Sequence, residues 1–489
     1  MARCPRKVAR DRACNGRREI CRLNVGTGRW RLKKAVKLLP LLALASLVHA
    51  PWVLAGGFTI IEMGVKKTGM MTSIAKPDDL SAVYHNPAGL ADQHGTRLHL
   101  SSGFSFVDAK VRLKAWPGGE GVYGSEDFIS TPVDDEGYFE GWIRPTRYFG
   151  AMPMFVASSD FGWEDGPVWA FSMFVPDFIG AFLPEDAPTR YMVVEGYFVA
   201  GVACLSGAWR LPAPYDFLSV GAGIGALYVR IAGSRWLNVN SLLEYNTDFK
   251  ATQAAEDWRP FYNLGITADL PLGITLGLSF IGGADVNLEG RLDIELAPGQ
   301  EKDPILDALG LQVEGNYRMR QTMKVPAGLA FGINWEVFDR LELGFDLRWW
   351  FYSVFDKSEI FHNIDVQLGG QPLVENPMVL PKDYEDSWTV SLGALGRPFD
   401  VPLELMAGWS YDHSPAPTRT KSLDSPSTNL TGFSLGARYT LFGRYRLSLT
   451  YYRYWYLKDT VDDSILDPPQ NSQYVGSVDT VSVEAEIIF

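Results

Sequence analysis

A transmembrane antiparallel β-barrel of about fourteen strands, with an N-terminal hatch plugging its lumen, is the fold this sequence predicts. Three observations carry it. Apolar and polar residues alternate with period two over segments of about ten residues, the length of a tilted strand crossing a bilayer. Short and long connections between those segments alternate strictly. An export-like N-terminus precedes them, and the chain ends in an alternating strand closed by Phe489.

The alternation is clearest in LELGFDLRWWF, where Leu341, Leu343, Phe345, Leu347, Trp349 and Phe351 share one face and Glu342, Asp346 and Arg348 the other. In GFSLGARYTL, Phe433, Leu435, Ala437, Tyr439 and Leu441 oppose Ser434, Arg438 and Thr440. Segments 217–228, 274–280 and 403–411 repeat the pattern. Short turns are expected at 211–216, 269–273, 337–340, 396–402 and 441–446, and long loops at 176–190, 232–257, 290–323, 355–384 and 412–431. A soluble sandwich has no reason to keep every long loop at one end, whereas a membrane barrel does. Val481, Val483, Ala485, Ile487 and Phe489 share one face of the last strand.

Composition agrees. The 489 residues contain 13% aromatics, including 15 Trp, and 48 Gly. Residues 1–55 hold 13 Lys and Arg against Asp11 and Glu19, and the remainder carries a net charge of −23, which excludes a nucleic-acid partner. The stretch from Arg29 to Ala55 reads as a charged n-region, a short apolar h-region and a small-residue exit, with cleavage after Ala55. Residues 1–28 are an unusual prefix to such a signal, and a true start downstream would explain them. Removal of 1–55 takes Cys4, Cys14 and Cys21 and leaves Cys204 alone, so the mature chain has neither a disulfide nor a cysteine metal site. The domains are then 1–55 as basic extension and signal, 56–95 as hatch and 96–489 as barrel. The hatch lacks any strand of bilayer length, and its apolar pieces favour burial over a solvated linker.

Three passages carry a resemblance: GMMTSIAKPDDLSAVYHNPAGLA, VPDFIGAFLPEDAPTRY, and LELMAGWSYDHSPAPTRT with its Asp-x-Ser-Pro-x-Pro turn from Asp412 to Pro417. Together they resemble the FadL family of outer-membrane transporters for long-chain fatty acids and other hydrophobic compounds. LPEDAP departs from that family's loop, which is richer in glycine and threonine. The resemblance implies a monomer in the bacterial outer membrane, assembled by the barrel assembly machinery. External loops would capture a hydrophobic small molecule, a lumenal pocket would hold it, and it would leave sideways near strand three. Asn86, Pro87, Ala88 and Gly89 would form the rigid turn that seats the hatch, whose movement frees the ligand.

Phe178, Ile179 and Phe182 form an apolar cluster in a predicted external loop and are the expected capture surface. A carboxylate-bearing ligand would want a cation, and strand parity offers Lys324, Arg348 and Arg438. Pairing with Glu342, Asp346 or loop acids is the structural alternative for each. PVWAFSMFVP (167–176) is apolar on both faces; Trp169, Phe171 and Met173 on one of them are candidates for the exit, although parity leaves open which face is lumenal. Asp412-His413-Ser414 cannot be a catalytic triad, because consecutive side chains of an extended chain point to opposite faces. No enzyme activity, cofactor or metal is expected. The acidic runs 134–136 and 459–467 lack EF-hand spacing and read as loop surface or as contacts to outer-membrane lipopolysaccharide. A general porin for polar solutes is the competing function, but its lumen should be lined with charge around an open pore.

Overall fold

Fourteen strands pair in sequence order, each antiparallel to the next, in a computed structural model describing residues 62–489 apart from 117–131, 147–148, 164, 239–246, 303, 309, 369, 373 and 426. The expected signal, its cleavage point and the first residues of the hatch lie outside the described residues. The first six strands are β1 (Arg97–Leu113), β2 (Phe149–Ser159), β3 (Val168–Phe182), β4 (Glu195–Arg210), β5 (Leu218–Asn238) and β6 (Asp248–Leu270). Four strands run in two segments each. They are β7 (Ile274–Ile281, Ala284–Leu296), β8 (Gly315–Val325, Gly328–Phe338), β9 (Leu341–Trp350, Lys357–His362) and β10 (Met378–Pro381, Ser387–Gly396). β11 (Leu403–Asp412), β12 (Leu430–Leu441), β13 (Tyr445–Val461) and β14 (Ser472–Ile488) complete the sheet. β14 pairs with β1 from Arg97↔Ile488 to Leu113↔Ser472, so the barrel closes. Closure leaves the sheet without outer edges, which a wall in hydrocarbon requires.

The short turns lie where the alternation predicts them. The long loops need correction. The ladder continues through much of 176–190, 232–257, 290–323 and 355–384, and β5 and β6 reach 21 and 23 residues. A strand of bilayer length is therefore too short an expectation for this wall.

The reason is an inversion of pattern along single strands. On β5 the inward positions read Ser219, Gly221, Gly223, Gly225, then Leu227, Val229, Ile231. The outward positions read Val220, Ala222, Ile224, then Tyr228 and Arg230. Near the short turns the wall is apolar outside and small or polar inside. Near the long loops it is polar outside and apolar inside. β6 does the same, with Asn263, Gly265 and Thr267 inward at the turn end and Phe249, Ala251 and Ala255 inward at the loop end.

Residues 62–95 fill the small-residue half of the lumen. Helix α1 (Val65–Met70), helix α2 (Ala82–His85) and a 3-10 turn (Pro87–Asp92) are buried almost throughout, which is the hatch the sequence predicts.

Candidate functional site

Four features meet around the hatch: its seat, an apolar chamber above it, a charged vestibule below it and a break in the wall beside it.

The seat is made of glycine. A Cβ on Gly265 would lie 1.9 Å from Asn86 Oδ1, one on Gly221 2.4 Å from the Ala88 nitrogen, and one on Gly393 1.9 Å from the Met70 carbonyl oxygen. The wall thus leaves the hatch backbone the space a side chain would occupy. Asn86 makes the turn rigid. Its amide donates to the Ile74 carbonyl (2.8 Å) and to the Ile266 carbonyl of β6 (3.1 Å), while its oxygen accepts from the Ala88 amide (3.2 Å). Pro87 opens the 3-10 turn, and Gly89 has no room for a Cβ, with Pro77 2.2 Å away. Gly265→Val is expected to expel this turn. Overpacking costs typically about 1–3 kcal/mol, and here the obstacle includes backbone. Limited proteolysis checks it: the hatch should become cleavable in a barrel that still migrates as folded.

Ion pairs fasten the hatch. Arg438 of β12 donates to both Asp78 oxygens (3.0 and 2.8 Å) and to Glu404 of β11 (2.5 Å). Lys66 lies 3.3 Å from Glu342 of β9, and Lys76 pairs with Glu336 and Glu342. Asp346 accepts from the Ser73 amide at 2.6 Å. The expectation that Arg438 serves a ligand carboxylate is corrected, because two protein carboxylates already occupy it. Lys324 is corrected too: it is half exposed on the outward face beside Asp285, where the polar exterior of the loop end begins. Arg348 differs. It is buried, has no carboxylate within 4.0 Å among the described residues, and sits 3.4 Å from His85 Nδ1 and 5.7 Å from the Tyr84 ring centre.

Above the hatch the lumen is apolar. Leu227, Val229, Phe261, Leu288, Leu292 and Met323 belong to one buried cluster that reaches Tyr84 of the hatch. Phe174 of β3 bridges the two, its ring 5.5 Å from Tyr84 and 6.0 Å from Phe261. Towards the loops a narrow apolar cleft lies between β1, β14 and the end of β3, lined by Ala109, Val111, Ala181, Leu183, Tyr456 and Tyr474. Below the hatch the character reverses. A cavity open towards the short turns is lined by Lys76, Asp78, Asp92, Arg97, Glu336 and Arg446.

The wall breaks beside β3. β2 pairs with β3 only from Met154↔Phe174 to Ser159↔Trp169. β3 then bulges between Phe174 and Asp177 and stays with β4, while Phe149–Pro153 of β2 stay with β1. The Thr146 amide rejoins the Phe182 carbonyl (2.9 Å) beyond the bulge, so the break is a bounded window. Met152 and Phe178 pack against each other in it, with Tyr197 and Val199 alongside. Phe178, Ile179 and Phe182 are therefore not an exposed loop cluster. All three are buried in β3, because pairing to β4 resumes after Pro176. Trp169, Phe171 and Met173 occupy the outward face, Trp169 and Phe171 exposed where the bilayer would lie. Val168, Ala170, Ser172 and Phe174 face inward, and the 3-10 turn of the hatch contacts this strand. The acidic runs face cations of the chain itself: Arg112 pairs with Asp134 and Glu136, and Lys421 with Asp459.

Sequence reasoning missed Asp78, Glu404, Met152 and the glycine seat. The Gly221-x-Gly223-x-Gly225 spacing on one strand face was the available signal for the seat, since glycine inside a strand marks close backbone approach.

A closed barrel with its lumen filled by its own N-terminal segment, apolar inside above that plug, is an integral outer-membrane transport protein and not an enzyme. The chain matches the model of the outer membrane protein transport protein family (OMPP1/FadL/TodX) over residues 46–483, and it belongs to that family. In fold it is similar to a Pseudomonas aeruginosa FadL homologue (18% identity, 88% of this chain and 100% of that chain, TM-score 0.73). It is also similar to the Pseudomonas putida toluene transporter TodX (15%, 88% and 99%, 0.61) and to the Ralstonia pickettii toluene transporter TbuX (15%, 86% and 97%, 0.57). No match is found among curated protein sequences.

Proposed function

We propose that this barrel takes up hydrophobic compounds, amphiphilic acids among them, by capture at the loop end, residence in the apolar chamber and sideways release through the β2–β3 window. The inversion of wall polarity supports this reading most. An apolar solute gains roughly 25 cal/mol for each Å² removed from water in the chamber, and would lose that gain in the charged vestibule below. A general porin would present the opposite lining. The window, where Met152 and Phe178 pack across an unpaired stretch of wall, is the route that avoids this vestibule. It opens beside Phe106 and Phe149, both exposed on the outward face. The barrel acts as a monomer, and the polar exterior of the loop end, with Arg230, Arg318 and Arg320, faces lipopolysaccharide.

Arg348 selects acids within that class. A hydrogen bond to a charged group contributes about 1.5–3 kcal/mol, so Arg348→Gln should weaken binding of a long-chain fatty acid by at least about tenfold. Binding of the matching fatty alcohol should hardly change. Isothermal titration of the detergent-solubilised protein with both ligands checks this; equal loss for acid and alcohol would remove Arg348 from recognition. Planar-bilayer recording tests the class, since a large steady conductance of the wild-type barrel would favour the porin.

A further inference from the structure

At the seam where β1 closes on β14, near the short-turn end, lies a second buried group of donors. His99 of β1 stands opposite Glu486 of β14, with Glu484 two residues along the same inward face. A donor atom from each of the three lies within 4.8 Å of the others, and all three side chains are buried.

The charges here do not balance. Arg97 (3.1 Å) and Arg446 (3.6 Å) both address Glu486. Glu484 has no Lys or Arg within 4.0 Å among the described residues; His99 Nε2, at 3.8 Å, is the basic group within that distance, and Arg438 acts on it from farther off. Its remaining contacts are the Val65 amide (3.0 Å) and the Ser448 hydroxyl (3.4 Å). Asp79 of the hatch, fully buried, adds a further carboxylate to the same neighbourhood. An uncompensated buried carboxylate costs several kcal/mol. One donor atom is also idle: His99 Nδ1 makes no hydrogen bond, while Nε2 faces the Ser101 hydroxyl at 3.1 Å.

We propose that His99, Glu484 and Glu486 bind one divalent transition-metal ion of the Zn²⁺ class. One imidazole nitrogen and two carboxylate oxygens, with water in a fourth position, suit zinc. Calcium and magnesium prefer all-oxygen shells. The ion supplies the missing positive charge. Arg97 and Arg446, which flank Glu486, also line the charged vestibule below the hatch. The ion also touches the hatch: Glu484 holds the amide of Val65, the first residue of α1, so metal and hatch share one carboxylate.

The full chain, stripped with a chelator and held in detergent, is titrated with Co²⁺ and followed by visible absorption. One Co²⁺ per barrel should bind with the bands of a four-coordinate nitrogen–oxygen site, and Zn²⁺ should displace it while excess Ca²⁺ does not. His99→Gln and Glu484→Gln should each weaken binding by more than about tenfold. Both variants are first checked for heat-modifiable migration. If neither assembles, Zn-edge X-ray absorption of the wild-type protein decides, and it must show imidazole and carboxylate in the first shell. No saturable binding, unchanged affinity in His99→Gln, displacement by Ca²⁺, or a shell without imidazole would each overturn the assignment.

Discussion

Replacing Arg438 with Met is expected to unseat the hatch and make the closed barrel leak. Among the described residues, Arg438 alone joins Asp78 of the hatch to Glu404 of the wall by direct ion pairs to both. Without it, the largely buried Asp78 loses its guanidinium, while Glu404 keeps Arg397 at 2.8 Å. Breaking such a pair from one side costs about 3–5 kcal/mol. Asp78 is 21% exposed and keeps Lys66 at 3.8 Å, so the lower end applies. About 3 kcal/mol moves an equilibrium by roughly a hundredfold, enough to raise the open population visibly in single-channel recordings. Strand pairing does not involve Asp78, so heat-modifiable migration should persist. A variant that assembles and conducts like wild type would show that the glycine seat alone holds the hatch.

Titration gives the latch a direction. Burial alone would raise the Asp78 carboxyl, but Arg438, Lys66 and Arg446 outweigh it and hold it far below the usual carboxylate range. A group depressed in the seated state stabilises that state fully above its ordinary value, near 3.9, and loses the contribution as pH falls towards the depressed one. Conductance should therefore stay low from pH 7 down to about 4.5 and rise only in stronger acid. Opening already at pH 6 would place the controlling group elsewhere.

How much was legible in the sequence follows from which interactions are local. Alternation depends only on neighbours i and i+2, so the barrel, its short turns and its closing strand could be read directly. The hatch could be read because Asn86-Pro87-Ala88-Gly89 is local turn chemistry. The ends of the strands could not, because above the bilayer the polarity reverses while the ladder continues, as between Gly225 and Leu227 of β5. That same reversal placed Lys324 outside and the chamber inside. Arg438 was visible as an inward cation, yet its partner Asp78 lies 360 positions away. Phe178 was visible as an apolar residue without a reason to be exposed. Its reason, contact with Met152 across an unpaired stretch of wall, depends on a register shift after Phe174 that no short pattern records.

The window yields the other large effect. Met152→Asp and Phe178→Asp, singly and together, should leave capture intact and cut transfer of a hydrophobic compound into the membrane by more than about tenfold. Where β2 and β3 are unpaired, Met152 and Phe178 pack together beside the buried Asp177, so a second carboxylate there adds a charge or its desolvation cost, several kcal/mol, to the route. The control lies on the same strand. Met173 faces outward in the paired part of β3, and Met173→Asp should instead disturb assembly, by up to a few kcal/mol and less than Lys or Arg would. Heat-modifiable migration separates the two cases, and uptake of a labelled hydrophobic compound by cells, set beside equilibrium binding to purified protein, separates capture from release. Normal uptake through Met152→Asp/Phe178→Asp would close the window as a route. The ligand would then have to pass the vestibule lined by Lys76, Asp78 and Glu336, where nothing repays its apolar surface.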